Sequence, residues 1–276
     1  MSWRAQLNID YQFQAGRTIT RHTHTGPLRI LQSLYPEGDA VCHNVIVHPP
    51  GGLVGGDTLD FGITVATGAH GLVTTPGATR FYRSDGELAS QRTHIRLGES
   101  ARFEWLPLES IAFSGCRAEN RLNMALSPGA ELMGWDITAL GLPAANQPFD
   151  KGFFSQHIEI QGLWLERACI SAQDALLLNS PVGLAGHRCM ATLFFASGSA
   201  LPRNQIQGAL DAARAVIHHH PLGTVAGATS PNRQVIVVRV LSPVVEPAIN
   251  LLQQIRMVWR DHFWSLTGTA PRVWAT

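Results

Sequence analysis

Gly68-Ala69-His70-Gly71-Leu72-Val73, Ser100-Ala101-Arg102-Phe103-Glu104-Trp105 and Gly129-Ala130-Glu131-Leu132-Met133-Gly134-Trp135 are three versions of one phrase. Each opens on a small residue followed by alanine, then runs into an apolar or mixed segment of strand length. The opening pairs stand 32 and 29 residues apart. Self-similarity at such steps marks stacked units that bury their faces against one another. The reading is a mainly β fold: a stacked or coiled body of strands, either β-helix-like or built of layered sheets.

The neighbouring sequence agrees. Val45–Val47, Gly71–Thr75, His94–Leu97, Ala101–Leu106 and Glu131–Ile137 are short apolar or alternating runs set between glycine and proline turn signals. Such runs read as strands. The last third changes character. From Asn204 to His218, Ile206, Leu210, Ala213 and Ile217 recur at helical spacing. A β-branched run, Gln234 to Leu241, follows. Ser242-Pro243 then offers a helix start, with serine as N-cap and proline in the first turn. Leu252, Ile255, Trp259 and Phe263 form its apolar stripe, and Gly268 fits its stop. Residues 1–276 read as one domain: 1–200 the β body, 201–276 a strand and two α-helices packed on it.

Composition narrows the function. The chain has 276 residues, 45% of them hydrophobic, and a formal net charge of +1. That suffices for a large core. There is no basic run and the arginines are scattered, which argues against a nucleic-acid partner. Cys42, Cys116, Cys169 and Cys189 form no Cys-x-x-Cys pair, so they suggest no closed zinc or iron–sulfur site. No apolar run has the length of a membrane span, and Met1 to Ile9 lacks the apolar run of a secretory signal. A cytoplasmic location with free thiols is expected.

Local motifs propose no catalysis. His48-Pro49-Pro50-Gly51-Gly52-Leu53-Val54-Gly55-Gly56-Asp57 is rich in glycine, but no Gly-Lys-Ser/Thr follows to make a phosphate loop. Gly51, Gly52, Gly55 and Gly56 read as a structural turn, or as a place where another chain comes close. Asp57 then braces that turn. His22 and His24 share a strand face, and His218, His219 and His220 end the first helix. The triplet reads as a solvated terminus before it reads as a weak metal site. Asp57, Glu104, Asp136 and Glu166 are carboxylates in apolar surroundings and need partners. Arg80, Arg83 and Arg167 are the plain choice; as a set the acids also suit a polar path. Trp259 and Phe263 read as core or as a partner-docking face. No nucleophile elbow and no His-Glu-x-x-His motif appears.

Longer blocks resemble one family. Gly26-Pro27-Leu28 with Tyr35-Pro36-Glu37-Gly38 looks like the opening of the urease accessory proteins UreD and UreH. Cys42-His43 and the His48–Asp57 stretch resemble that family's most distinctive segment. Thr74-Thr75-Pro76-Gly77-Ala78-Thr79-Arg80-Phe81-Tyr82-Arg83-Ser84 matches the next block, with Arg80 where many members carry lysine. Glu104-Trp105-Leu106-Pro107 follows, and Pro271-Arg272-Val273-Trp274-Ala275-Thr276 is similar to the closing motif. Leu108-Glu109 and Ser114-Gly115 depart from the pattern.

The resemblance implies a mainly β, coiled stack with two helices and no catalysis of its own. It implies a chaperone that joins UreF and the GTPase UreG to apo-urease, with a homo-oligomer inside that complex left open. GTP would bind UreG alone. Nickel would pass transiently, with no tightly bound cofactor, through an internal wet passage. Separated carboxylates attract a cation yet release it, whereas a Cys/His tetrad would trap it. On this reading Asp57, Glu104, Asp136 and Glu166 face the passage. An enzyme with a dispersed site and a pure interaction scaffold are the competing classes.

Overall fold

The computed structural model describes residues 2–275; Thr276 of the closing motif lies outside the described residues. Two sheets form the body. The first runs, in spatial order, Trp164–Ser171, Gly152–Ile160, Cys116–Leu126, Ala89–Leu97, Thr58–Val65, Arg4–Gln14 and Arg17–Thr25. The second runs Ala226–Asn232, Val235–Ser242, Cys189–Ser197, Glu131–Leu142, Arg102–Leu106, His70–Thr74, Val41–Val47 and Arg29–Ile30. From Val41 to Ile160 the long strands alternate between the sheets, so each coil gives one strand to each. Within this stretch the pairing of the long strands is parallel. A third, short ladder stacks Gly52–Leu53, Thr79–Phe81, Ser110–Ala112 and the end of Glu131–Leu142.

The sequence repeat is the register itself. His70 pairs with Arg102 and Arg102 with Glu131, the steps of 32 and 29 residues. In the first sheet Thr58 pairs with Ser90 and Ser90 with Glu119, the same two steps. The small residue that opens each phrase has a left-handed backbone: φ is +71° at Gly68, +54° at Ser100 and +69° at Gly129. Such a conformation turns the chain between sheets and favours residues with little or no side chain. Antiparallel strands close both ends of the stack, including the hairpin of Arg4–Gln14 and Arg17–Thr25. Its turn residues Ala15 and Gly16 both have positive φ, as a tight hairpin requires.

The core has two layers. Ile9, Phe61, Phe103, Trp105, Phe154 and Phe194 fill the space between the sheets. Met133, Trp135, Phe195, Leu252, Ile255 and Trp259 fill the space between the second sheet and two helices. Those helices are α2 (Arg203–His219) and α3 (Val245–Trp264), preceded by a short α1 (Ala175–Asn179). No helix among the described residues is long and apolar enough to cross a membrane.

Three details differ from the sequence reading. Helix α1 was not expected; Asp174 caps it by accepting from the Leu177 N–H at 2.9 Å. Helix α3 starts later than Ser242, because Ser242 still pairs with Cys189 in the sheet. Its N-cap is Val244, with no side-chain bond. The helix also stops before Gly268. Ser265 takes the left-handed cap position at φ +52°, its N–H donating to the Asp261 carbonyl at 2.9 Å.

Glu104 faces the helix layer, in register with Leu72 and Met133. It is fully buried, as are Arg256 and Arg260 of α3. Arg256 Nε donates to Glu104 Oε2 at 2.6 Å, and Arg260 Nε lies 3.5 Å from Oε1. Arg260 Nη2 also donates to Glu37 at 2.7 Å, and Glu37 pairs with His43 at 2.7 Å. Burial alone would raise the Glu104 pKa. The charges of Arg256 and Arg260 and the His70 ring more than offset it, so the carboxyl sits well below its ordinary range. A carboxylate held low stabilises the fold above its unfolded pKa, and that contribution disappears as pH falls through the folded value.

Glu104→Ala leaves two guanidiniums buried without their sheet partner. It is expected to cost about 3–5 kcal/mol in urea unfolding at pH 7, with a smaller difference from wild type in acid. A loss below about 1 kcal/mol would contradict the clasp. Trp259 is fully buried and donates from Nε1 to the Ala209 carbonyl at 2.9 Å. Trp259→Ala is expected to cost about 3–5 kcal/mol, measured by the same melt.

Candidate functional site

The space between the sheets is not uniformly apolar. Inward positions of Cys116–Leu126 are Cys116, Ala118, Asn120, Leu122 and Met124. Asn120 breaks that series. Its register partners are Gln91 on one side and Gln156 on the other, so three amides form one inward rung. Asp136 reaches this rung from the second sheet. Asn120 Nδ2 donates to Asp136 Oδ2 at 2.8 Å, Gln156 Nε2 donates to Oδ1, and Thr138 Oγ1 donates to Oδ1 at 3.2 Å. Gln91 Nε2 donates to Asn120 Oδ1 at 3.3 Å, and Thr79 Oγ1 donates to Gln91 Oε1 at 3.4 Å.

Every donor to Asp136 is neutral. Burial raises its pKa to about 6, despite the hydrogen bonds from Gln156, Thr138 and Asn120; the nearby charge of Glu166 pushes the same way. A buried carboxylate without a cation is under electrostatic load, which either a proton or a cation relieves. Gln156 Oε1, a further buried oxygen beside it, has no hydrogen-bond partner among the described residues.

This polar seam lies between two cavities. The first, about 210 Å³, is lined among others by His48, Arg80, Thr79, Gln91 and Trp105. It shares Thr79, Gln91 and Trp105 with a narrow pocket that continues to Asn120 and Asp136. The second cavity, about 690 Å³, is lined by Glu166, Arg167, Thr192 and Arg239 among others. Glu166 points inward from the first sheet and accepts from Arg239 Nη2 of the second.

The four acids singled out in the sequence are therefore not gathered. Asp136 and Glu166 interact. Glu104 lies on the opposite face of the second sheet, taken up by Arg256 and Arg260. Asp57 accepts from the N–H groups of Val54 at 3.0 Å and Trp3 at 3.2 Å, and so braces the glycine turn. That turn packs tightly: a Cβ on Gly52 would lie 2.8 Å from the Arg80 carbonyl and closer still to the Tyr82 ring. The segment Thr79–Ser84 comes close to Gly52 and Gly55, whereas Gly56 faces Glu87 and Ser2 and Gly51 faces open space. Trp259 and Phe263 lie in the helix layer, Phe263 stacked on Phe195 with ring centroids 3.7 Å apart. They are core, not a docking face.

His218 and His219 are exposed and edge-to-face, while His220 Nδ1 accepts from the Leu222 N–H. Among the described residues no three His, Cys, Asp or Glu side chains are grouped to hold a metal ion. Gln91, Asn120 and Gln156 were missed in the sequence. Their signal was a polar residue at an inward, otherwise apolar strand position.

Comparison with known proteins fits this architecture to a family. Residues 4–275 match the family described as "UreD urease accessory protein". Relatives named urease accessory protein UreD match over the full length of both chains. One from Polaromonas sp. strain JS666 is 65% identical, one from Variovorax paradoxus strain S110 is 61% identical, and one from Methylibium petroleiphilum strain PM1 is 47% identical. The chain belongs to the UreD urease accessory protein family.

Proposed function

We propose that the chain is a non-catalytic chaperone of urease maturation in the cytoplasm. It joins UreF and UreG to apo-urease and hands nickel along the polar seam in its own interior. Nickel is cargo here, and GTP stays with UreG. The observation that carries this reading is Asp136: a buried carboxylate, held by neutral amides and a hydroxyl, between two cavities.

The chemistry supports transit over storage. Oxygen and amide groups hold a borderline metal less tightly than thiolates or a histidine cluster. One carboxylate, with Glu166 beyond it, provides a stopping place that a cation can leave. His48 and Arg80 stand at one end and the Glu166–Arg239 pair at the other. A pure interaction scaffold leaves the charged form of Asp136 with a cost and no use.

That cost makes the test two-sided. The rise from 3.8 to about 6 corresponds to about 3 kcal/mol. A raised carboxylate pKa means that stability falls as pH climbs from about 4 to about 6 and stays lower above. Asp136→Asn is therefore expected to be more stable than wild type at pH 7, by about 1–3 kcal/mol, and equal to it near pH 4. In cells with a urease operon lacking its own UreD-type gene, wild type should restore urease activity and bound nickel. Asp136→Asn should still co-purify with UreF but load urease with much less nickel. Normal nickel loading by the stabilised variant would sink the passage; failure of wild type to restore activity or bind UreF would sink the chaperone reading itself.

A further inference from the structure

The residues next to the inward amide rung point the other way, and they carry charge. Register places Asp60, Arg92, Arg121, His157 and Arg167 side by side on the outer face of the first sheet. Neighbouring strands lie about 4.8 Å apart. Like charges directly opposite one another weaken a sheet, yet Arg92 and Arg121 are direct neighbours. Both long helices pack on the second sheet, so they leave this face open. Parallel sheets are usually covered on both faces.

The charge on this face is only partly answered. Glu119 lies 2.6 Å from Arg121 and 3.9 Å from Arg92. Asp60 is taken by Arg4 at 2.6 Å, and His157 is paired with Glu159 at 2.9 Å. Arg117 lies over the Phe153 ring at 5.4 Å. Arg167 is exposed and makes no ion pair among the described residues. On the four strands from Ala89 to Ser171 the outer face has Arg92, Arg96, Arg117, Arg121 and Arg167 against Glu119 and Glu159. That surplus exceeds the net +1 of the whole chain. A groove of about 280 Å³ runs beside it, lined by Arg121, Arg167, His157, Ser155 and Cys169 among others.

We propose that this face docks a carboxylate-rich protein surface. Guanidinium forks match carboxylates in geometry as well as charge. The rung spacing of about 4.8 Å is close to the roughly 5–6 Å between acids three or four residues apart on a helix. A nucleic acid fits less well. Glu119 and Glu159 interrupt the positive field, which separate carboxylates avoid and a continuous phosphate chain does not. Phe153 is covered by Arg117 and His157 is held by Glu159, so neither ring offers a free stacking platform. The proposal stands independently of the nickel reading.

The test uses the full chain and two fluorescent probes of equal charge. One is a helical peptide with glutamate at every third or fourth position; the other is a single-stranded oligonucleotide. Wild type is expected to bind the peptide more tightly than the oligonucleotide, with affinity falling as salt rises. Arg92→Gln/Arg121→Gln/Arg167→Gln should weaken peptide binding about tenfold or more, roughly 1.4 kcal/mol. Its melting temperature should be unchanged or higher, since crowded like charges are removed. Arg83→Gln/Arg203→Gln/Arg214→Gln, on other surfaces, should change binding less than about twofold. If the triple face variant does not fold, Arg167→Gln alone should still show a loss of about threefold. No binding by wild type, equal loss in both triples, or tighter binding of the oligonucleotide would each overturn the proposal.

Discussion

Lateral register between coils is the constraint on which the rest of the molecule depends. Each coil contributes one strand to each sheet, and parallel hydrogen bonding ties every residue to a partner one coil away. A slip of one residue would turn each inward side chain outward. The left-handed turns at Gly68, Ser100 and Gly129 bring the chain back into register after 32 and then 29 residues. Once the step is set, Gln91, Asn120 and Gln156 must share an inward rung. The residues immediately after them, Arg92, Arg121 and His157, must share the outward one. The amide cage and the basic face are two readings of one register.

The second sheet is buried on both faces, so any acid on its central strands needs an answer from one layer or the other. Glu104 precedes a tryptophan and Asp136 follows one, and in the sequence they look alike. The fold separates them. Glu104 meets two arginines of α3, and its carboxyl is held low. Asp136 meets three neutral donors, and its carboxyl is pushed up to about 6. The first arrangement secures a helix to a sheet, since breaking such a pair strands a buried charge. The second leaves the native state carrying a charge that it does not compensate. Uncompensated buried charge of this kind concentrates at functional sites.

Much of the architecture was legible because it is local. Strand-length runs, the 32- and 29-residue steps and the apolar stripe of α3 are all properties of short windows. The ends of α3 were misplaced because Ser242 is claimed by a strand partner, which no cap preference reveals. The site was legible only in part, for a physical reason. Glu104 and Arg256 are 152 residues apart, and Glu37 and Arg260 are 223 apart. No window holds both members of either pair. The arginines looked scattered because register partners lie a coil apart in the sequence, as Arg92 and Arg121 do. Register gathers what the sequence disperses.

The helix layer also has a place in this account. The strand Glu131–Leu142 presents Asp136 to the interior and Trp135 and Ile137 to the helices. Trp135 stacks near Trp274 with centroids 5.2 Å apart and donates from Nε1 to the Pro107 carbonyl at 2.6 Å. Trp274 in turn donates to Thr74 and lies under the Arg256 guanidinium. Arg256 holds Glu104 on the adjacent strand. The strand that carries the loaded carboxylate is thus clamped from behind by aromatic packing and a buried ion pair. Fixing its strand from the opposite face, with rigid elements, keeps the load where it is. That gives α3 a function by packing alone, with Trp259 and Phe263 buried in that packing.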